Sequence, residues 1–257
     1  MKISATIITY NEEKKIEGAL SSLLGLVDEI VLVDSFSQDN TLKIAKKYPA
    51  KIFKRKWTNY ADQRNFALAK ASFPWILNLD ADERVSPELK EEILSIKDKE
   101  PECDGFYIPR LVFYLGRWIY HSGWYPDRKI RLFKKENAHW QGEFVHENLI
   151  FKGKTKNLKN PIHHFTYRNL TDHIRQINKY STLGAQKLYA EKKKTHWYHF
   201  ILWPFFRFLK SYFLKLGFLD GFPGLVISIL NGYYIFIRYV KLKEIWKKGE
   251  KIEPFPY

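Results

Sequence analysis

Residues 76–84 read ILNLDADER. The apolar run Trp75-Ile76-Leu77 has the character of a buried strand, and it delivers Asp80, Asp82 and Glu83 just past its end. An unpaired carboxylate leaving water costs several kcal/mol. Either cations reach this point from elsewhere in the chain, or something positive binds there from outside. A core strand that ends in ligating groups is what an open α/β sheet presents at its carboxyl edge.

The same pattern recurs upstream. Residues 3–9, ISATIIT, are β-branched and apolar, and the stretch from Asn11 to Gly25 then carries Ile16, Leu20, Leu23 and Leu24 at helical spacing. Residues 29–34, EIVLVD, form a second apolar run, followed by the turn-like SFSQDN and a helical stretch from Thr41 to Tyr48. Lys51–Lys54 reads as a short strand, Tyr60–Ala71 as a helix and Trp75–Leu79 as a further strand. Such alternation predicts a doubly wound, mainly parallel α/β sheet. Thr9-Tyr10-Asn11-Glu12, Asp34 with Ser35, and Asp80 with Asp82 then converge on one sheet edge. Neither G-x-G-x-x-G nor G-x-x-x-x-G-K-[ST] follows the first strand, so carboxylates and a metal, rather than a glycine loop, are expected to hold any nucleotide.

In this order and spacing, IITYNEE, EIVLVDSFSQDNT and LNLDADE resemble glycosyltransferase family 2, the inverting nucleotide-sugar transferases of GT-A fold. The resemblance runs on through WYPDRKIRLFKK (124–135) and GEFVHENL (142–149) to GFLDG (217–221), and is nearest to the lipopolysaccharide core β-glucosyltransferase type. It implies a UDP-sugar donor, a lipid-linked saccharide acceptor, and Mg²⁺ or Mn²⁺. Asp82 is then the more direct metal ligand and Asp80 lies by the ribose and metal. His146 offers a further metal or phosphate contact. Asp34 corresponds to the residue that bonds the nucleobase edge. Thr9, Tyr10 and Glu12 belong to the base and ribose pocket, and Arg64 and Arg131 complete the donor-binding set. Arg131 either holds the diphosphate or pairs with a neighbouring acid. For the general base the order is Glu147, Asp127, Glu143, since the family's usual Glu-Asp pair is missing from this zone. The family's processive members carry Q-x-x-R-W; here only Gly116-Arg117-Trp118 is found, elsewhere in the chain, so no polymer-extruding synthase is expected. Crowding of three acids without a cation predicts that Asp82→Asn leaves the fold intact or stabilised.

Charge divides the chain of 257 residues unevenly. Residues 1–150 hold 23 Lys and Arg against 22 Asp and Glu, and residues 151–257 hold 20 against 6. The expected segments are a catalytic domain, 1–165, and a basic, aromatic-rich helical segment, 166–257. The stretch from Trp197 to Lys248 is thick with Phe, Tyr, Trp and Leu, and its longest uncharged run, 221–237, holds three glycines and a proline. That composition predicts interfacial helices on an anionic membrane surface rather than a spanning helix. Nucleic acid accounts for the charge but not for the apolar surplus, so no nucleic-acid partner is expected. The lone Cys103 and the absence of a signal-like apolar stretch before Glu12 and Glu13 suit the cytoplasmic face of the inner membrane. The alternatives are transfer onto a polyprenyl phosphate carrier and a non-catalytic basic peripheral membrane or nucleic-acid-binding protein. The latter has no need of converging Asp34, Asp80 and Asp82.

Overall fold

The computed structural model describes residues 1–99, 101–142 and 148–248, which form two compact units. The first comprises Met1–Leu111 and Pro126–Thr166, and the second Val112–Tyr125 together with the chain from Tyr167 onward.

In chain order, the first unit opens with β1 (Ile3–Thr9), α1 (Ile16–Leu23), β2 (Glu29–Asp34), α2 (Thr41–Ala45), β3 (Ala50–Lys54), α3 (Tyr60–Lys70) and β4 (Trp75–Asn78). It continues with β5 (Glu83–Val85), α4 (Pro87–Lys97) and β6 (Gly105–Tyr114). Beyond β6 lie β7 (Arg117–Ile119), β8 (Asp127–Lys134), β9 (Ala138–Gln141), β10 (Asn148–Phe151), β11 (Thr155–Asn157) and β12 (Ile162–His164).

The main sheet has the order β3-β2-β1-β4-β8-β6-β12-β5. Strands β3, β2, β1 and β4 are parallel, joined by crossover helices as the alternation predicts. Strand β8 pairs antiparallel with both β4 and β6, no helix intervening between β6 and β8, while β11 joins β6 in parallel. The parallel strands expected from the sequence form the β3-β2-β1-β4 half of the sheet, and the other half is mixed.

Strand β2 is buried along its whole length, as a parallel strand covered on both faces must be. Its Ile30 and Leu32 join Ile3, Ala5 and Ile7 of β1 and Ile16, Leu20 and Leu23 of α1 in one core. Val31 and Val33 face the other way, onto Ile76, Phe133 and Ala61, Ala67 and Leu68 of α3. Two helix starts are set by capping: the Asn59 side chain accepts from Asp62 N, and Ser86, followed by Pro87, accepts from Leu89 N. Where Phe106 pairs Leu132 and Tyr107 pairs Ile130, a β-bulge at Arg131 interrupts the β6–β8 ladder. Bulges re-aim a side chain beside a site.

The second unit begins inside β6. Val112, Phe113 and Tyr114 pair with β7 across a two-residue turn, Leu115 (φ 46°) and Gly116 (φ 87°). Positive φ at both positions matches the twist of a tight hairpin. This hairpin packs with the later helices: Tyr114 and Ile119 share a core with Ile227. Those helices are α5 (Leu170–Ala190), α6 (Leu202–Leu209), which runs on into a π-helical turn over Lys210–Leu214, and α7 (Gly221–Lys248). The expected division at residue 165 thus omits the excursion Val112–Tyr125. Residues 217–248 are long and apolar enough to cross a membrane, with a mean hydropathy of 1.3 over 18 residues and a third of that window buried inside the protein.

Candidate active site

The loops that follow β1 and β2 are laced together. Thr9 and Asp34 are register partners, and Ser35 N donates to Thr9 O at 2.9 Å. Asn11 N donates to Ser37 Oγ and Gln38 N to Asn11 Oδ1, at 2.9 and 2.8 Å. Glu12 N donates to Thr41 Oγ1. Asp34 is fully buried and accepts from Ser37 N at 2.9 Å and Ser37 Oγ at 2.5 Å, so it shapes the turn that precedes α2, while Asn40 is the residue at the helix start. Thr9 Oγ1 is buried with no hydrogen-bond partner. Tyr10, by contrast, is 53% exposed.

At the end of β4 the opening question has a structural answer: cations do arrive from within the chain. Arg64 of α3 donates to Asp80 Oδ1 (2.7 Å) and Asn78 Oδ1 (2.6 Å). Arg131, at the bulge, donates to Asp80 Oδ2 (2.8 Å), Asn78 Oδ1 (2.9 Å) and Glu83 Oε1 (2.7 Å). Burial pushes the Asp80 carboxyl up, but Arg131 and Arg64 together outweigh it and hold the group well below the usual carboxylate range. Glu83, fully buried, also receives Arg110 at 3.4 Å and accepts from Asp80 N. Pairing with neighbouring acids, one of the two roles expected of Arg131, is formed with Asp80 and Glu83.

Asp82 sits differently. Its Oδ2 lies 3.4 Å from His164 Nε2 and 3.6 Å from Lys15 Nζ, and its side chain keeps 21% exposure. Antiparallel pairing of β12 with β5 sets His164 opposite Glu83 and so beside Asp82. Burial raises the Asp82 carboxyl, while hydrogen bonding and charge from His164 lower it to a net depression. For His164 burial works downward and Asp82 upward, and the net shift is upward. Asp82 is thus a compensated acid. The expectation that Asp82→Asn relieves crowding is corrected: the acids do not face one another without cations, and the change instead deprives His164 of its ionic partner.

Asp127 is bound by Arg110 through both Nε and Nη2, and by Lys129 at 3.4 Å. Burial raises its carboxyl, Arg110 more than reverses this, and the net result is a depressed pKa and a weaker base. Glu143, His146 and Glu147 lie outside the described residues. The sequence reading missed Arg110, Lys15 and His164. For His164 the signal was the His163-His164 pair, since alternation along a strand must turn one of the two inward.

A half-parallel sheet whose strand ends carry acids and laced polar loops, in place of a glycine loop, is the architecture of GT-A transferases. The family model for "Glycosyl transferase family 2" matches residues 4–169, and the chain belongs to that family. Among similar proteins, an uncharacterized glycosyltransferase of Rickettsia typhi is 31% identical over 98% of this chain and 90% of its own length. The lipopolysaccharide core biosynthesis glycosyltransferase LpsC of Rhizobium meliloti is 29% identical over 94% of this chain and 92% of its own. Among solved structures, S. aureus TarS in complex with UDP-GlcNAc aligns with a TM-score of 0.48 at 17% identity, over 97% of this chain and 93% of that one.

Proposed function

We propose that the protein is an inverting, metal-dependent glycosyltransferase that moves a sugar from a UDP-linked donor to a lipid-linked saccharide of the lipopolysaccharide inner-core type, at the cytoplasmic face of the membrane. The observation that carries this reading is the gathering of Thr9, Tyr10, Asp34 and Asp82 at the carboxyl ends of three adjacent parallel strands, β1, β2 and β4. Similarity to LpsC along most of both chains supports the choice of acceptor.

The donor set fits a divalent cation. Among the described residues no three His, Cys, Asp or Glu side chains form a ready-made cage. A Mg²⁺ or Mn²⁺ in a sugar-nucleotide site needs only one or two protein ligands, because the diphosphate supplies oxygens. Asp82 and His164 are such a pair, with an oxygen and a nitrogen that suit Mn²⁺. When bound, the ion neutralises charge developing on the departing diphosphate. Asp80 is better described as a positioning group, since Arg64 and Arg131 occupy both of its oxygens and fix the strand end that presents Asp82.

Thr9, Asp34 and Tyr10 receive the nucleoside: the buried Thr9 hydroxyl has no partner, Asp34 shapes the turn after β2, and the Tyr10 ring is exposed. Glu147 takes the acceptor hydroxyl's proton, a role for which Asp127, weakened by Arg110, is less suited.

Isothermal titration of UDP with and without Mn²⁺ tests the reading. Wild-type protein is expected to bind UDP more tightly with Mn²⁺, and Asp82→Asn and His164→Gln to lose that increment. Metal-independent UDP binding, or an increment unchanged in Asp82→Asn, overturns it.

A further inference from the structure

The second unit contains a buried carboxylate that the sugar-transfer reading leaves unused. Asp220 is fully buried, and it accepts Tyr120 N (3.2 Å), His121 N (2.9 Å) and His121 Nδ1 (3.0 Å). It thereby fastens the loop after β7 to the turn Gly217–Gly221, whose flanks Leu216 and Gly221 both have positive φ. Ser122 N donates to Lys215 O at 2.9 Å, which brings the lysine backbone to the same loop. Arg117 lies over the same turn: Nη2 donates to Leu219 O at 3.5 Å, and Nη1 is 3.2 Å from where a Cβ on Gly221 would sit.

The charge balance here is one-sided. Residues 112–125 and 197–222 hold four Lys and Arg, namely Arg117, Arg207, Lys210 and Lys215, and a single acid, the buried Asp220. All four basic residues are exposed. Because Asp220 takes His121 Nδ1, the ring is fixed with Nε2 left for another partner. Around the turn, Leu214 is 77% and Phe222 72% exposed, and Phe218 and Leu219 are exposed as well. Apolar side chains in water beside unpaired basic groups form the two-part chemistry of a lipid surface: acyl chains for the first, phosphate for the second.

We propose that Arg117, His121 and Lys215 form a phosphate-binding site for a membrane lipid headgroup, with Leu214, Phe218, Leu219 and Phe222 entering the acyl boundary beside it. Arg offers a planar fork of donors, Lys a point charge and His121 Nε2 a further donor when the ring is protonated. Three such groups favour a phosphomonoester over a phosphodiester, because the monoester carries the second negative charge. This inference rests on the membrane reading above.

The test is cosedimentation of the full-length protein with phosphatidylcholine vesicles containing phosphatidic acid or phosphatidylglycerol, matched for surface charge. The expected result is preference for phosphatidic acid, and a loss of roughly tenfold or more of that binding in Arg117→Gln/Lys215→Gln, consistent with about 1 kcal/mol for each basic group near an anionic surface. This double variant keeps the His121–Asp220 lock, and thermal unfolding checks that it is folded. His121→Gln, checked by thermal unfolding, should lose part of the preference. Replacing Lys192, Lys193 and Lys194 by Gln should weaken binding to both lipids alike. Equal binding of the two lipids by wild-type protein, or full preference in the folded double variant, overturns the headgroup site while the membrane reading stands. Failure to bind any vesicle overturns both.

Discussion

Asp80, Glu83, Arg64 and Arg131 form a buried knot in which every charge has an opposite within 3 Å. Removing one partner from such a set typically costs about 3–5 kcal/mol, because it strands a charge in the interior. The acids were legible in the sequence, since they follow an apolar strand. Pairing with an acid was one of two roles open to Arg131, but the particular pairs were not legible: Arg64 and Arg131 stand 16 and 51 residues from Asp80, and only the bulge in β8 and the packing of α3 bring them together. Glu29 illustrates a second buried acid with a separate purpose. It takes Lys51 Nζ (2.6 Å), Ser4 Oγ (2.5 Å), and Ser72 N and Oγ (both 2.7 Å), tying β2 to β1, to β3 and to the end of α3. Burial raises its carboxyl, but these bonds, led by Lys51, bring it from 4.5 down to about 2. A group depressed on folding stabilises above its unfolded pKa and loses that contribution as pH falls through the folded value. Glu29→Gln should therefore cost about 3 kcal/mol at pH 7, with the difference from wild type shrinking between pH 4.5 and pH 2. Urea unfolding at pH 7 and pH 3 checks this; a pH-independent difference rejects it.

Secondary-structure elements in the first half were readable because hydrophobic periodicity and crossover spacing agree there. They became less readable after α4, where short strands of mixed burial pair across long separations, as β12 does with β5. The second unit depends on close backbone approach that composition alone does not reveal. A Cβ on Gly224, in the first turn of α7, would sit 1.9 Å from Gly217 O, and one on Gly217 would sit 2.8 Å from Ser211 O. Backbone atoms have no rotamer by which to yield. Gly116, in the β6–β7 turn, meets nothing within 4 Å, and only its φ of 87° resists a side chain. Gly116→Ala should cost about 1–2 kcal/mol, the penalty for left-handed backbone. Gly224→Ala should exceed about 3 kcal/mol, the upper range for overpacking. At about 2–4 °C per kcal/mol for chains of this size, thermal unfolding separates the two, and equal shifts would refute the packing account.

At the scale of the whole molecule, the neutral first half and basic second half seen in the sequence correspond to a sheet-based unit and a helical one, but the seam between them is not a single point along the chain. It passes from one unit to the other at 111–112, returns at 125–126 and passes again at 166–167. The hairpin Val112–Tyr125 was not legible as part of the second unit, because its ties are to residues about a hundred positions away, such as His121 to Asp220 and Arg117 to Leu219.

That threefold crossing limits how such a protein can be recombined. The helical unit is not a cassette that can be lifted from its C-terminal end, since Ile119 and Tyr114 are shaped to neighbours such as Ile227 and Val226 that arrive with the other segment. A graft that takes residues 167–257 from the Rickettsia typhi relative while leaving 112–125 in place should give poorly soluble protein with a broadened melting transition. Moving both segments together should restore a single sharp transition, and equal behaviour of the two chimaeras would show that the hairpin is interchangeable. For any such exchange the hairpin and the start of α7 are therefore one piece, because Tyr114, Ile119 and Ile227 share one core.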